Sequence, residues 1–169
     1  MKNQLSLIFV GFIVLVGCTK QPTFTISGTL TNAADKTIYL EHTALLGTTI
    51  VDSCHIDTDG NYSLEAPAPT YPDFYRLRVG SRSLPLAIES TEHVQVSTSL
   101  DSLPYTLNIN GSEVSAQMAQ LRASARTATR DVLREQTQKI ILANPRSLVA
   151  YYALFLKQNG LPIWDMADP

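Results

Sequence analysis

The hydrophobic period of this sequence changes once, near Asn110, and that change constrains the fold more than any other feature. Upstream, from Phe24 onward, short runs of residues alternate between apolar and polar, which is typical of strands with one buried face. Downstream, apolar residues recur at helical spacing, which is typical of amphipathic helices. The chain is therefore predicted to be mainly β, with an α-helical segment towards its C-terminal end.

The strand-like half, residues 24–110, contains about seven short runs separated by turn-forming residues. This spacing predicts an antiparallel β-sandwich of the immunoglobulin-like or transthyretin-like type. Asp59-Gly60 is expected to form a hairpin turn between the runs at 48–57 and 61–66. On the first of these runs the alternation predicts a shared face for three residues: Ile50, Cys54 and Ile56.

Oxygen-bearing residues at alternate positions in this turn, Asp57, Asp59 and Asn61, also resemble part of a calcium loop. The later bidentate glutamate of such a loop is missing, so we interpret them as turn residues. Zinc would need several converging ligands, and the histidines are far apart in the sequence: His42, His55 and His93. No metal and no cofactor is expected.

The helical half, residues 111–160, opens at Ser112, which is a good N-cap residue. A thin apolar stripe follows: Val114, Met118, Leu121, Ala125, Ala128 and Val132. This helix is expected to continue through Leu142, either straight or after a bend, until Pro145 starts another. The buried face of that next helix is predicted to contain Leu148, Tyr151, Tyr152 and Phe155. Residues 161–169 are interpreted as a truncated tail.

Residues 1–18 have the order of a bacterial lipoprotein signal peptide. Lys2 supplies a positive charge, and the apolar stretch from Leu5 to Val16 is too short for a bilayer span, which needs about 20 apolar residues. The stretch ends in Leu15-Val16-Gly17-Cys18, which resembles a lipobox. Cys18 is therefore expected to be lipidated and to tether the mature chain to a membrane; the alternative is an ordinary buried cysteine in a signal or anchor helix.

Thr19 follows that cysteine, and no aspartate or acidic run comes next. By resemblance to Gram-negative lipoproteins, this predicts an outer-membrane location with the domain facing the periplasm. The formal net charge of −2 gives no indication of nucleic-acid binding. If Cys18 is acylated, Cys54 has no partner for an intrachain disulfide, and we expect it to pack as a small hydrophobe.

Several motifs resemble the N-terminal domain of unknown function, with its linker helices, of thiol:disulfide interchange lipoproteins of the TlpA-like type. They are the strands Phe24-Thr25-Ile26-Ser27-Gly28 and Val51-Asp52-Ser53, the Gly111-Ser112 step, and the stretch from Asn144 to Tyr152. The resemblance implies redox chemistry only in a C-terminal thioredoxin-fold domain with Cys-x-x-Cys, a motif missing here. A dithiol centre needs two neighbouring sulfurs, so no enzymatic activity is expected.

Three functions remain open at this point. The first is a non-catalytic, membrane-tethered envelope module that binds or positions a partner, including a thioredoxin-fold domain. The second is a truncated thiol–disulfide oxidoreductase whose catalytic domain is missing. The third is a carbohydrate- or peptide-binding lipoprotein.

Two surfaces are candidates for contact with a partner. Four arginines recur at every fourth position and would form a slanting basic stripe on one helix: Arg122, Arg126, Arg130 and Arg134. Such a stripe could meet anionic headgroups or an acidic partner, although a solvated face is the simpler interpretation. Near the proline-rich turn, Tyr71, Phe74 and Tyr75 could form an aromatic platform, although core packing explains alternate residues more simply.

Overall fold

The computed structural model of the chain describes residues 21–106 and 108–164. The predicted signal peptide at 1–18, its lipidation site Cys18, and residues 165–169 of the predicted tail lie outside these residues. The strands of the sandwich are β1 (Thr23–Thr31), β2 (Thr37–Ala44), β3 (Gly47–His55), β4 (Asn61–Pro67), β5 (Asp73–Val79), β6 (Arg82–Ile88), β7 (His93–Val96), β8 (Thr98–Ser99) and β9 (Ile109–Asn110). The helices α1 (Glu113–Thr127), α2 (Arg130–Ala143) and α3 (Leu148–Leu154) follow, and then a small hairpin of β10 (Lys157–Gln158) and β11 (Leu161–Pro162).

Two sheets face each other across a common core. The first sheet has the order β4-β1-β7-β9, with β8 also paired to β1, and the second has the order β3-β2-β5-β6. After β5 and β6 of the second sheet, the chain returns to the first sheet. There β7 and β8 both run parallel to β1. The other pairs of the two sheets are antiparallel. The predicted β-sandwich with a helical segment after it is confirmed.

Period-two alternation builds the core, as on β4, where every second residue is buried. The largest fully buried side chains of the strands come from both sheets: Phe24, Ile26, Ile38, Leu40, Leu64, Leu77, Leu84, Leu86 and Ile88. Each such side chain contributes about 1.5–3 kcal/mol when it leaves water. The core therefore depends on both inner faces at once.

Asp59-Gly60 does not form a hairpin, and that prediction was wrong. Strand β3, before the turn, pairs with β2, whereas β4, after it, pairs with β1. The turn therefore carries the chain from one sheet to the other. The alternating pattern of a strand shows which face is buried but does not specify the neighbouring strand.

A side chain connects β3 and β4 across this side of the sandwich. Asp52 Oδ2 accepts a hydrogen bond from the Glu65 N–H at 2.8 Å. This bond replaces part of the backbone ladder that a hairpin would have supplied.

A β-bulge changes the faces of β3. The register with β2 shifts between Leu40 and Glu41, which leaves one extra residue in β3. Two residues of β3 that simple alternation would place on one face therefore point to opposite faces when the bulge lies between them. Cys54 packs against the core and Ile56 is buried, but Ile50 is exposed. The predicted common face of these three residues was therefore wrong for Ile50.

The predicted long helix is two helices. Ser112 caps α1 as expected, because its Oγ accepts from the Ser115 N–H at 3.4 Å. Ala128 then has extended backbone angles, and the Thr129 hydroxyl caps α2 by accepting from the Val132 N–H at 3.5 Å. Threonine competes with helix continuation because its hydroxyl can satisfy backbone groups locally. Val132 is consequently exposed instead of belonging to the apolar stripe of α1.

Two buried serines fix α1 to the edge strand β6. Ser115 Oγ donates to the Ala87 carbonyl at 2.8 Å and accepts from the Ala87 N–H at 2.9 Å. Ser112 Oγ lies 3.2 Å from the same carbonyl. The helical segment thus satisfies backbone groups of β6 that would otherwise face solvent as an open edge. No helix among residues 21–106 and 108–164 is both long and apolar enough to cross a membrane.

Candidate functional site

The aromatic groove is a hollow of about 320 Å³ on the outer face of the second sheet, beside α3. Phe74 of β5 and Pro85 of β6 supply its sheet side, and Tyr151 and Phe155 supply its helix side. The ring centroids of Phe74 and Tyr151 are 5.7 Å apart, and those of Tyr151 and Phe155 are 4.9 Å apart. A hollow of this size is at the lower end of the range for ligand pockets, so it suits one ring or a short peptide segment.

The rings of this groove are open to solvent. Tyr151 is 52% exposed and Phe155 is 55% exposed, although both were predicted to be buried. The prediction failed because α3 is short and packs through its small residues: Val149, Ala150 and Ala153. Two large rings are therefore directed outwards, where they meet Phe74 across the groove.

An ion pair on the outer face of the second sheet places a fixed positive charge at the groove wall. Glu41 is buried, and its carboxylate accepts from Arg76 Nε and, at 2.7 Å, from Arg78 Nε. Arg78 also stacks on Tyr39, with its guanidinium carbon 4.3 Å from the ring centroid. Arg76 lines the aromatic groove itself. Because a guanidinium group has five N–H donors, Arg76 can be held by Glu41 and still donate to a ligand.

The charge of Glu41 is stable at neutral pH. Burial by itself would raise the pKa of this carboxyl group, but the hydrogen bonds and positive charges of Arg76 and Arg78 outweigh burial and hold the pKa below its usual 4.5. The carboxylate is therefore ionised whenever the protein is folded near neutral pH. It positions Arg76 instead of acting as an acid or a base.

The predicted basic stripe is not formed, because the four arginines lie on two helices. Arg122 is buried and donates to the Pro104 carbonyl at 2.9 Å and to the Tyr152 hydroxyl at 3.1 Å. Arg126 stacks on the Tyr105 ring, with 4.2 Å between the guanidinium carbon and the ring centroid. The two arginines of α1 therefore connect this helix to neighbouring segments.

The two arginines of α2 hold the end of the described chain. Arg130 donates to the carbonyls of Pro162 and Ile163, and Arg134 Nε donates to the Ile163 carbonyl at 3.2 Å. The prediction of one continuous stripe was wrong because the helix is interrupted at Ala128. A guanidinium group that binds a carbonyl oxygen within the chain has fewer donors free for a partner.

The aromatic platform predicted from Tyr71, Phe74 and Tyr75 is not assembled either. Tyr75 is buried, edge-on to Phe24 with 4.9 Å between ring centroids. Tyr71 is exposed in the β4–β5 connection but does not line the aromatic groove. Phe74 and Tyr75 both line the groove, but Tyr75 is buried, so Phe74 is the ring of the three that meets Tyr151 across it. The spacing of Tyr151 and Phe155 by four residues was the sequence signal for an aromatic pair on one helix face.

Cys54 has the environment of a structural thiol. Burial raises the pKa of this thiol, the Ser63 N–H opposes that shift, and the charge of Asp52 adds to it. The net shift is upward, so the group is a protonated, weak nucleophile at neutral pH. The prediction that Cys54 packs as a small hydrophobe is confirmed by its contact with the core.

The Asp57 carboxylate is occupied by its own turn. It accepts from the N–H groups of Asp59 at 2.9 Å and Asn61 at 2.7 Å, and from Asn61 Nδ2 at 3.1 Å. These hydrogen bonds lower the pKa of Asp57, and the bond from the Asn61 N–H contributes most. This geometry is that of a turn, as the sequence indicated.

The three histidines lie at separate places. His42 Nε2 is 2.7 Å from an oxygen of Asp73, and His93 Nδ1 is 2.8 Å from the Thr25 hydroxyl. His55 is 3.4 Å from the Thr37 hydroxyl. Within the part of the chain that the structure describes, no three potential metal-binding side chains come together.

A larger cleft of about 730 Å³ separates the three helices. Its walls mix amide and charged side chains, such as Gln117, Gln136 and Lys139, with apolar ones such as Val114 and Leu121. Volume alone gives no preference for a ligand. The aromatic groove combines a cluster of tilted rings with a held guanidinium group. Aromatic and arginine side chains are typical of recognition surfaces, so we regard this groove as the candidate site.

The fold and the groove together define the class of protein: a small β-sandwich domain with a docked helical extension. Residues 24–118 match the family model described as "Domain of unknown function (DUF4369)". This stretch is more than half of the chain, which therefore belongs to that family. The match covers the whole sandwich and continues into α1.

No curated protein matches the chain. Among solved structures, a 9R-lipoxygenase from Cyanothece PCC8801 is similar at 12% sequence identity and a TM-score of 0.30, over 87% of this chain. This chain spans 27% of the length of that protein. A TM-score of 0.30 is too low to indicate a shared fold or a shared activity.

Proposed function

We propose that this chain is a lipid-anchored, non-catalytic module of the bacterial envelope that binds or positions a partner through the aromatic groove. The lipobox at residues 15–18 supports lipidation of Cys18. The lack of an acidic residue directly after it supports the outer membrane, with the domain facing the periplasm. The resemblance of several sequence motifs to those of TlpA-like lipoproteins supports a role as an accessory to thiol–disulfide exchange, with a thioredoxin-fold domain as the partner.

The observation that carries this proposal is the half-exposed pair Tyr151 and Phe155, packed against Phe74 beside Arg76. Aromatic rings and arginine are enriched at the centres of protein interfaces. Rings bury a large area at a small cost in side-chain entropy, and a guanidinium group offers several hydrogen-bond donors. A loop or extended segment of a partner protein fits such a groove. The stacked rings also favour a second candidate, a carbohydrate or free peptide ligand.

Arrays of peptides and glycans test which ligand the groove binds. We expect the mature chain to bind a peptide set, and Tyr151→Ala or Phe155→Ala to lose about 2 kcal/mol, or about thirty-fold in Kd. Tyr71→Ala is the matched control, since it removes an exposed tyrosine outside the groove. Binding to neither array, or equal binding by the three variants, would contradict the proposal; selective binding of glycans would favour the second candidate.

An insulin-reduction assay separates this function from that of a truncated thiol–disulfide oxidoreductase. Cys54 is the only free cysteine among the described residues, and its raised pKa makes it a poor attacking group. We expect no turnover from the mature chain. Turnover that disappears in Cys54→Ala would overturn the non-catalytic assignment.

A further inference from the structure

The loop between β2 and β3 is an apolar tip. Leu45 and Leu46 form it, and 97% and 99% of their respective surfaces are exposed. A single exposed leucine needs no explanation. Two adjacent leucines in a turn do, because turns are normally made of polar residues and glycine.

Strand pairing shows which end of the sandwich carries this tip. β1 starts beside the end of β4, and the Pro22 carbonyl accepts from the Ala68 N–H at 2.8 Å. β5 then begins at Asp73, whose carboxylate lies 2.7 Å from His42, near the end of β2. The start of β1, the β4–β5 connection and the β2–β3 tip therefore occupy one end, and the chain leaves from that end towards Cys18.

We propose that this end of the sandwich rests on the bilayer, with Leu45 and Leu46 inserted into the interfacial region. The inference depends on the lipid anchor proposed above. The five steps from Cys18 to Thr23 span at most about 17 Å when fully extended. A tether that short keeps the apolar tip within reach of the membrane surface at all times, so insertion involves little loss of translational freedom.

Two other side chains at this end, Tyr71 and Arg146, can also contact a membrane surface. Tyr71 is exposed in the β4–β5 connection, and a tyrosine ring is well placed at the level of the headgroups. Arg146 is exposed and lines a shallow hollow together with Leu45, where it can bind lipid phosphate. Glu89 and Glu92 precede β7 at the same end of the sandwich, and their negative charges oppose attraction to anionic lipid headgroups. The apolar tip is therefore the main contact with the membrane.

Fluorophores attached to single cysteines can test this in the complete, acylated chain. Cys54→Ala removes the free thiol, and a polarity-sensitive fluorophore is attached at Leu46→Cys. The matched control is Ser81→Cys, which is exposed in the turn between β5 and β6 at the opposite end. Both proteins are reconstituted into vesicles of phosphatidylethanolamine and phosphatidylglycerol, with or without nitroxide-bearing lipids.

At residue 46 we expect blue-shifted emission and quenching by the nitroxide lipids, and at residue 81 neither effect. In a second pair, the label at Tyr71→Cys should lose its blue shift when Leu45→Ser and Leu46→Ser are added. Equal emission at residues 46 and 81 in acylated, vesicle-bound protein would overturn the inference and leave the anchor standing. A blue shift at residue 46 without nitroxide quenching would show a protein occupant and would also overturn it. If mass spectrometry finds Cys18 unmodified, the anchor and the inference both fail.

Discussion

Replacing Glu41 by glutamine removes the negative charge that Arg76 and Arg78 share. A hydrogen bond to a charged group contributes about 1.5–3 kcal/mol, and breaking a fully buried ion pair costs about 3–5 kcal/mol. The two arginine side chains are 37% and 27% exposed, so water can solvate them after the change. The expected loss in the free energy of unfolding is therefore discounted to about 2 kcal/mol.

Urea unfolding of the mature chain at neutral pH, followed by circular dichroism, measures this loss. With a slope of about 2 kcal/mol per molar urea, the midpoint should fall by about 1 M. Glu135→Gln is the matched control, because it makes the same chemical change in an exposed pair with Lys139, 2.7 Å away. Exposed pairs of this kind contribute little, so the control midpoint should stay near that of the unmodified chain.

The effect should also depend on pH with a defined sign. The folded-state pKa of Glu41 lies below its usual 4.5, so the ionised group stabilises the fold fully above that usual value. This contribution is lost as the pH falls through the lowered folded-state pKa. The gap between the unmodified chain and Glu41→Gln should therefore narrow in acid. A constant gap down to about pH 3, or equal midpoints for the Glu41 and Glu135 variants, would refute the reasoning.

Two further predictions concern the junction between sheet and helix. Ser115→Ala removes the hydroxyl that binds both backbone groups of Ala87. We expect the free energy of unfolding, measured with heat or urea, to fall by about 1–3 kcal/mol. The control Ser124→Ala, at a half-buried position further along α1, should change it little. Gly111→Ala should cost more than about 1 kcal/mol, because Gly111 has a φ of +81° and an added Cβ would lie 2.0 Å from the His93 carbonyl oxygen. A urea midpoint for Gly111→Ala equal to that of the unmodified chain would contradict this geometry.

Part of the candidate site was visible in the sequence. The sequence marks Phe74 as one of the aromatic residues near the proline-rich turn, and the pattern Tyr151-x-x-x-Phe155 indicates two rings on one helix face. Their convergence was not visible, because Phe74 belongs to the sandwich and the other two rings belong to the helical extension. The buried Glu41 was missed as well, since a glutamate in an alternating strand is normally read as a solvent-facing residue.

Local sequence patterns specify the kinds of element, the change from strands to helices near Asn110, and the helix cap at Ser112. These features depend on interactions between residues a few positions apart. The pairing of β3 and β4 with different sheets, and the exposure of Tyr151 and Phe155, follow from the tertiary structure. Periodicity shows that a face of a strand or helix is apolar. Which other surface packs against that face depends on every apolar surface in the fold, and residues distant in the sequence supply most of them.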